Sequence, residues 1–382
     1  MTTIKIFMNV APHYRAPIWT ALLHYPDWKV HFYYGDPFNN VQTIDFEIEE
    51  FAAKRDQIHK VKNYWWKGDK LIWQKGVIRE CWNGKFEYAI FPGDMSRLST
   101  WMAAIVCRLR GVKVVFWEHG FYGDEKGVKL MLRKAFFSLG HKHLLYERRA
   151  KKLMTQHGFN PDDMYVVFNS LDYNAQKVMR DRLQNLKKSE VFPFFSDPHL
   201  PVVIFIGRLT DVKKLDILLE AMIQMNHTKK KANLLFVGDG SNINKLKEMG
   251  REGLEEGWLH FTGASFDEEE NGRYLSMSDL CVSPGNVGLT AIHSLSFGTP
   301  VCTHDNMCKQ MPEAEAIQDG YNGFFFKEND TKDLKTKIED WLNKMDRQQI
   351  RKNAYEIIDK YYNPPYQLTV FNRLVSGEMP EL

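Results

Sequence analysis

In GRLTDVKK, Gly207 to Lys214, a glycine follows the apolar run VVIFI directly, and the cations Arg208 and Lys213 come next. Glycine permits a tight exit from a strand. Two cations carried near the carboxyl end of a strand suit a pyrophosphate, which arginine grips in bidentate fashion. A solvated helix start with ordinary surface charges is the alternative, and spacing alone weighs the two equally. SPGNVGLTAIHSLSFGTPV, Ser283 to Val301, reads as a strand end, a glycine-containing loop and a helix beginning near Gly288 or Leu289. The unpaired amides and positive end of such a helix make an anion site, and Gly285 and Gly288 let a ligand approach the backbone. Alone, this stretch fits an ordinary strand–turn–helix unit more simply.

Two shorter stretches add to these. FWEHG, Phe116 to Gly120, puts Glu118 and His119 at a strand's carboxyl end, where histidine donates a hydrogen bond or moves a proton near neutral pH. A histidine satisfied by local backbone is the commoner case. VGDGSN, Val237 to Asn242, holds Gly238 in half of a dinucleotide fingerprint, with Ile243 where the third glycine would stand. It reads as a tight turn near a nucleotide.

The elements that must position these residues are short apolar runs alternating with helix-length segments. In the first half the runs are Ile4 to Val10, Val30 to Tyr34, Tyr88 to Phe91, Val112 to Trp117, Leu144 to Tyr146 and Tyr165 to Phe168. In the second they are Val202 to Ile206, Asn233 to Val237, Trp258 to Phe261, Leu280 to Ser283, Pro300 to Thr303 and Gly323 to Phe326. Continuous apolar strands separated by helices predict parallel sheets buried on both faces. VFPFFSDPHLP, Val191 to Pro201, holds three prolines and reads as a linker. The expected fold is α/β, with two doubly wound Rossmann-like domains, 1–190 and 191–364, facing across a cleft. A last helix, about 365–382, is expected to pack back on the first domain. Ligands of such sheets sit beyond the carboxyl ends of the strands.

Composition narrows the function classes. The chain is 44% hydrophobic and 26% charged, with a formal net charge of +3, which argues against a dedicated nucleic-acid binder. Five cysteines without a CxxC pair read as reduced thiols. MTTIKIFMNV lacks the pattern of a signal peptide, and no apolar run approaches the roughly 18 residues needed to span a bilayer. A cytoplasmic location is the expectation.

Together these residues resemble the large retaining glycosyltransferase family (glycosyltransferase family 4, group 1 type) with the GT-B fold. The resemblance covers most of the chain and is strongest from Val202 to Phe326. VVFNSLD, GRLTDVKK, FVGDG, FTGAS, the Asp279 segment, GLTAIHSLSFGTPV and MPEAEAIQDGYNGFFF follow in the family's order. It implies a nucleotide diphospho-sugar donor and a glycan or lipid-linked acceptor, as in cell-surface polysaccharide or lipopolysaccharide synthesis. It implies Arg208 and Lys213 on the diphosphate beside Gly207 and Gly238, and the backbone of Val287, Gly288, Leu289 and Thr290 capping it. His119 would touch the donor sugar. The family is usually metal-independent, so neither metal nor other cofactor is expected. It implies retention of configuration, with a donor phosphate oxygen helping to deprotonate the acceptor. The sequence departs from the family in one respect: where two glutamates of an E-x7-E pattern are usual, it has Gly285 and His293. Asn286 is a substitute for the contact to the sugar, His293 for the contact to the ribose, and Glu313 or Glu315 a source of a carboxylate. An epimerase or an inverting transferase on this fold, and an inactive sugar-nucleotide-binding homologue, are the rival readings.

On the acceptor side, APHYRAP places His13, Tyr14 and Arg15 after the first strand, where they suit an acceptor phosphate or sugar or simply cap the first helix. NYWWKGDKLIWQKG, 63–76, interleaves Trp65, Trp66 and Trp73 with Lys67, Lys70 and Lys75. Tryptophan favours a membrane interface and lysine anionic headgroups, so contact with the inner membrane face is weighed equally against packing in the core or acceptor groove. The acidic run Asp267 to Glu270 reads as a solvated helix start.

Overall fold

The structure, a computed structural model, describes residues 1–38, 41–68, 70–344 and 346–382. It divides into two compact units, Met1–Asp172 with Asn363–Leu382, and Tyr173–Tyr362.

Unit 1 is built on β1 (Thr2–Phe7), β2 (Trp28–Tyr34), β3 (Ile58–Lys60), β4 (Asn63–Trp66), β5 (Leu71–Gln74), β6 (Tyr88–Pro92), β7 (Lys113–Glu118), β8 (Lys142–Leu145) and β9 (Met164–Val166). Seven of these form a parallel sheet in the order β3-β2-β1-β6-β7-β8-β9, and β4 pairs with β5 as an antiparallel hairpin. Every residue of β6 is buried, as a strand covered by helices on both faces must be. One face of the sheet packs around Trp19, Phe32 and Trp117, the other around Phe7, Phe91, Phe116 and Phe136.

Residues 363–382 belong to this unit for clear reasons. Asn363 caps the helix Pro364–Ser376 by accepting from the Tyr366 amide at 2.8 Å, and Pro364 presets its first turn. Phe371 is fully buried with its ring 5.1 Å from that of Trp117. Gln367 donates to the Phe168 carbonyl at 3.0 Å and accepts from Ser170 at 2.7 Å.

Unit 2 carries β10 (Val202–Ile206), β11 (Asn233–Val237), β12 (Leu259–Gly263), β13 (Leu280–Ser283), β14 (Val301–His304) and β15 (Gly323–Phe326). They form one parallel sheet in the order β12-β11-β10-β13-β14-β15, with β10 and β11 buried along their whole length. The order turns at β10, and the loops after β10 and β13 leave from neighbouring strands on either side of that point. This is the topological position at which such sheets bind ligands.

The boundary expected at 191–201 lies instead at 172/173. VFPFFSDPHLP is a packed part of unit 2: Phe192 and Phe195 are buried, Phe194 stacks on His260 at 3.9 Å, and the Ser196 amide donates to Gly257. Its prolines mark a bend rather than a linker. Residues 173–190 also belong to unit 2. Arg180 makes a two-pronged pair with Asp359 at 2.8 and 2.9 Å, and Lys188 meets the buried Asp279 at 2.5 Å.

Candidate active site

In unit 2, β10 ends at Ile206 and the chain leaves through Gly207 with φ +143°. Gly238, after β11, has the same angle, a region that favours glycine. A Cβ on Gly238 would lie 1.9 Å from the Gly207 carbonyl oxygen, so glycine is required for these two turns to nest. Their backbones are stitched by Gly207 N–H to Val237 (2.9 Å) and Leu209 N–H to Asp239 (2.9 Å). VGDG is thus half of a paired turn.

The third loop, after β13, locks onto the first. The Gly285 amide donates to the Lys213 carbonyl at 2.9 Å. A Cβ on Gly285 would fall 2.0 Å from the Val212 carbonyl oxygen. This contact accounts physically for the missing first glutamate, because no side chain fits between the two loops. Lys213 then folds across and donates to the Asn286 backbone oxygen at 2.7 Å and to its Oδ1 at 3.0 Å. The helix Leu289–Ser296 starts immediately beyond, with Gly288 at its cap and the Thr290 hydroxyl donating to the Ile206 carbonyl at 3.1 Å.

Burial pushes Lys213 below the usual lysine range, as does the Arg208 charge, while Glu313 opposes both. Arg208 is exposed, and its side chain has no hydrogen-bond or ion-pair partner among the described residues. The buried Glu313 carboxylate lies 3.8 Å from where a Cβ on Gly288 would stand. One expected backbone contact is corrected here. The Val287 amide is buried and donates to Gln310 Oε1 at 2.8 Å, so the amides left facing a ligand at this helix start are those of Gly288, Leu289 and Thr290.

His293 meets a carboxylate that the sequence reading set aside. Its Nε2 is 3.0 Å from Glu268 Oε1, which also accepts from Gln176 at 2.8 Å. Burial raises the Glu268 carboxyl, but the hydrogen bonds and charge of His293, with Gln176, outweigh it and leave it below the ordinary glutamate range. The run 267–270 does begin a helix, with Asp267 capping the amides of Glu269 and Glu270. Glu268, however, is turned to His293 rather than belonging to a solvated face.

In unit 1, a cavity of about 630 Å³ opens beyond the carboxyl ends of β1, β6 and β7. Tyr14, Arg15, Arg97, Glu118, His119, Arg133 and Tyr146 are among its lining residues, and His13 is not: it is exposed on the surface. Arg15 is buried, donates to the Tyr146 hydroxyl and, at 3.3 Å, to the Tyr14 hydroxyl, and its guanidinium lies over the Trp117 ring at 5.0 Å. Burial works against its charge, yet Tyr14 and Tyr146 outweigh that and hold its pKa above the ordinary value. Burial, with Arg15 beside it, pushes His119 down to about 4, so its imidazole is neutral at pH 7. Its Nδ1 is buried and has no partner among the described residues. Glu118 is engaged differently. Its Oε1 lies 2.5 Å from His143 Nδ1, and burial raises its carboxyl while His143 opposes. Its Oε2 is buried and has no partner among the described residues.

Sequence reasoning missed Arg97, Gln310 and Glu268. Arg97 stands alone in DMSRLST and Gln310 in a polar stretch, with no periodicity to mark either. In the hairpin, Tyr64 and Trp66 are exposed, while Trp65 is half-buried against Phe38; Asp69 of the 63–76 segment lies outside the described residues. A larger apolar exposure lies elsewhere: Leu98, Met102, Ile105 and Leu109 on one helix face, and Val128, Met131 and Leu132 on the next helix, joined by the Trp101–Phe136 contact. No helix among the described residues is long and apolar enough to cross a membrane. Nor does any group of three or more His, Cys, Asp or Glu among them form a metal-binding cluster.

Residues 187–357 match the family model of glycosyl transferases group 1. An uncharacterized glycosyltransferase of Methanocaldococcus jannaschii is 20% identical over 303 residues, 70% of each chain. Among solved structures, Anabaena HepE in complex with UDP superposes with a TM-score of 0.69 at 16% identity, covering 98% of this chain and 100% of that one. The lipopolysaccharide outer core galactosyltransferase WaaB, without ligand, gives 0.69 at 16% identity and 99% of both chains. These likenesses establish the two-domain GT-B fold.

Proposed function

We propose, from the premise that the chain is a glycosyltransferase of group 1 with the GT-B fold, that it transfers a sugar from a UDP-sugar to a glycan or lipid-linked acceptor with retention of configuration. The observation that carries this is the lock between Lys213 and Asn286 at the start of the helix Leu289–Ser296, beside Arg208. UDP enters the reading because it is bound by HepE, a structural relative.

Arg208, Lys213 and the amides of Gly288, Leu289 and Thr290 hold the diphosphate. As the sugar–oxygen bond breaks, negative charge grows on the departing diphosphate. Fixed donors aimed at it lower the barrier by meeting that charge without reorganising. Gly207 and Gly238 let the backbone approach the nucleotide. Asn286 is assigned to the sugar, and His293, held by Glu268, to the ribose. Glu313 orients the helix start from below. His119, neutral at working pH, donates a hydrogen bond to the reacting sugar instead of carrying charge. A donor phosphate oxygen takes the acceptor proton. No metal is assigned a role, since cations and helix amides supply the neutralisation.

The acceptor reading places Tyr14 and Arg15 at its binding cavity. A lipid-linked acceptor requires approach to a membrane surface, supported by the apolar faces of residues 98–109 and 127–137 and by Tyr64 and Trp66. Synthesis of a cell-surface polysaccharide or lipopolysaccharide on the cytoplasmic side is the context this implies.

A thermal-shift panel of UDP- and GDP-sugars tests the donor, since a ligand bound only by the folded state raises its melting temperature. UDP-sugars should stabilise and GDP-sugars should not. NMR of the product's anomeric proton tests retention, and an inverted product would overturn that part.

A further inference from the structure

The cavity of unit 1 holds guanidinium donors without partners among the described residues, which the donor site does not explain. Two guanidinium groups, Arg15 and Arg97, line it. Arg15 has phenolic partners only, and no carboxylate among the described residues pairs with it. Arg97, whose side chain is 14% exposed, has Nε and Nη1 both buried without a partner among the described residues. Its one counter-charge among the described residues is Asp94, half exposed and 3.6 Å from Nη2, too long for a hydrogen bond. The third arginine, Arg133, is neutralised by Glu125; Glu118 gives its Oε1 to His143, and its Oε2 is buried without a partner among the described residues.

A buried guanidinium with unmet donors is costly, and the cost is repaid when an oxyanion supplies paired acceptors. The walls around the two arginines include Met8, Pro12, Trp117 and Tyr122, which suit a sugar ring better than a bare ion. We infer that Arg97 and Arg15 form an oxyanion subsite for the acceptor, so that the acceptor of this enzyme is a sugar bearing a phosphate or carboxylate group. The inference rests on the reading of unit 2 as the donor-binding unit, because that reading leaves the unit 1 cavity to the acceptor. Arg97 is the residue that selects for the charge, and Arg15, fixed by Tyr14 and Tyr146, orients it.

The test titrates inorganic phosphate into the full chain already saturated with UDP, at constant ionic strength, and follows the melting temperature. Wild type should show a saturable rise. Arg97→Gln should need at least about tenfold more phosphate, since two hydrogen bonds to a charged group are lost. Arg97→Lys, which keeps the charge, should fall between them. UDP affinity of Arg97→Gln, measured by calorimetry, should stay within about twofold of wild type. Equal phosphate responses in wild type and Arg97→Gln would overturn the subsite. A tenfold loss of UDP affinity in Arg97→Gln would also overturn it, by assigning the arginines to the donor. If UDP fails to bind wild type, the donor reading falls, while the phosphate comparison, repeated without UDP on an Arg208→Ala background, still decides the role of Arg97. Repeating the titration with glucuronate and glucose 6-phosphate then separates carboxylate from phosphate.

Discussion

Lys213 in unit 2 and the arginines of the unit 1 cavity are held in opposite ways. In unit 2, Lys213 is committed to Asn286, and the loops around it are nested so tightly that Gly238 and Gly285 admit no side chain. In unit 1, Arg15 and Arg97 sit in an open cavity with neutral phenols or a distant carboxylate for company. The first arrangement is backbone fixed by nested turns, and in the proposed function its amides meet one invariant chemical group. The second stores charge on side chains and leaves the ligand to complete the pairing. A diphosphate common to many donors suits the former, and an acceptor particular to one enzyme suits the latter.

The comparison breaks most sharply at its tightest contact. Gly285→Glu, which would restore the glutamate usual at this position, and Gly238→Ala each drive a Cβ into a carbonyl oxygen about 2 Å away. Each should destabilise unit 2 by about 3 kcal/mol or more and abolish UDP binding. Denaturant unfolding and calorimetry check both, and a stable Gly285→Glu protein would refute the nesting.

The buried imidazole of unit 1 gives the next largest effect. His119 takes up no proton until about pH 4, whereas in the unfolded chain it does so near 6.5. Between those values the unfolded state binds the extra proton, so stability falls as pH drops through this window, by up to about 3 kcal/mol. His119→Asn should flatten the part of the pH–stability curve lying between pH 6.5 and about 4, as read by unfolding at several pH values. Its turnover should fall more than its UDP affinity.

A smaller effect sharpens the picture of unit 2. The His293–Glu268 pair is partly exposed, so His293→Ala and Glu268→Gln should show a coupling of no more than about 1 kcal/mol in a double-mutant cycle on UDP binding. Since the Glu268 carboxyl sits below its ordinary value, its contribution is present above the unfolded pKa and is lost as pH falls through the folded one. The smallest effect concerns unit 1's surface. Met102→Glu with Met131→Glu should reduce flotation with anionic liposomes more than Tyr64→Ala with Trp66→Ala, because the helix faces expose more apolar area.

Much of this was legible in the chain. Buried parallel strands announce themselves as unbroken apolar runs, and β10, β11, β13 and β15 span the residues that hydrophobicity alone marks out. The edge strand Ile58–Lys60 and the hairpin β4–β5 were not legible, being short, polar or half-exposed, with no period to detect. The boundary at 172/173 was hidden because prolines in 191–201 signal a turn without saying whether the turn is packed. Arg208 and Lys213 stand out by their position after a strand, but spacing alone weighs a phosphate clamp and a solvated helix start equally. The contacts around them were not legible: Gly285 against Val212, Gln310 on the Val287 amide and Glu268 on His293 join residues 23 to 73 positions apart. Such pairings depend on sheet order, which sequence periodicity does not encode.

The central claim is that the amide-rich start of the helix Leu289–Ser296 grips a nucleotide diphosphate with Lys213 and Arg208. Calorimetry of UDP with wild type, Lys213→Ala and Arg208→Ala tests it most directly. The account predicts a loss of about 1–3 kcal/mol for each substitution, with unchanged folding. Affinities equal to wild type in both variants would contradict it.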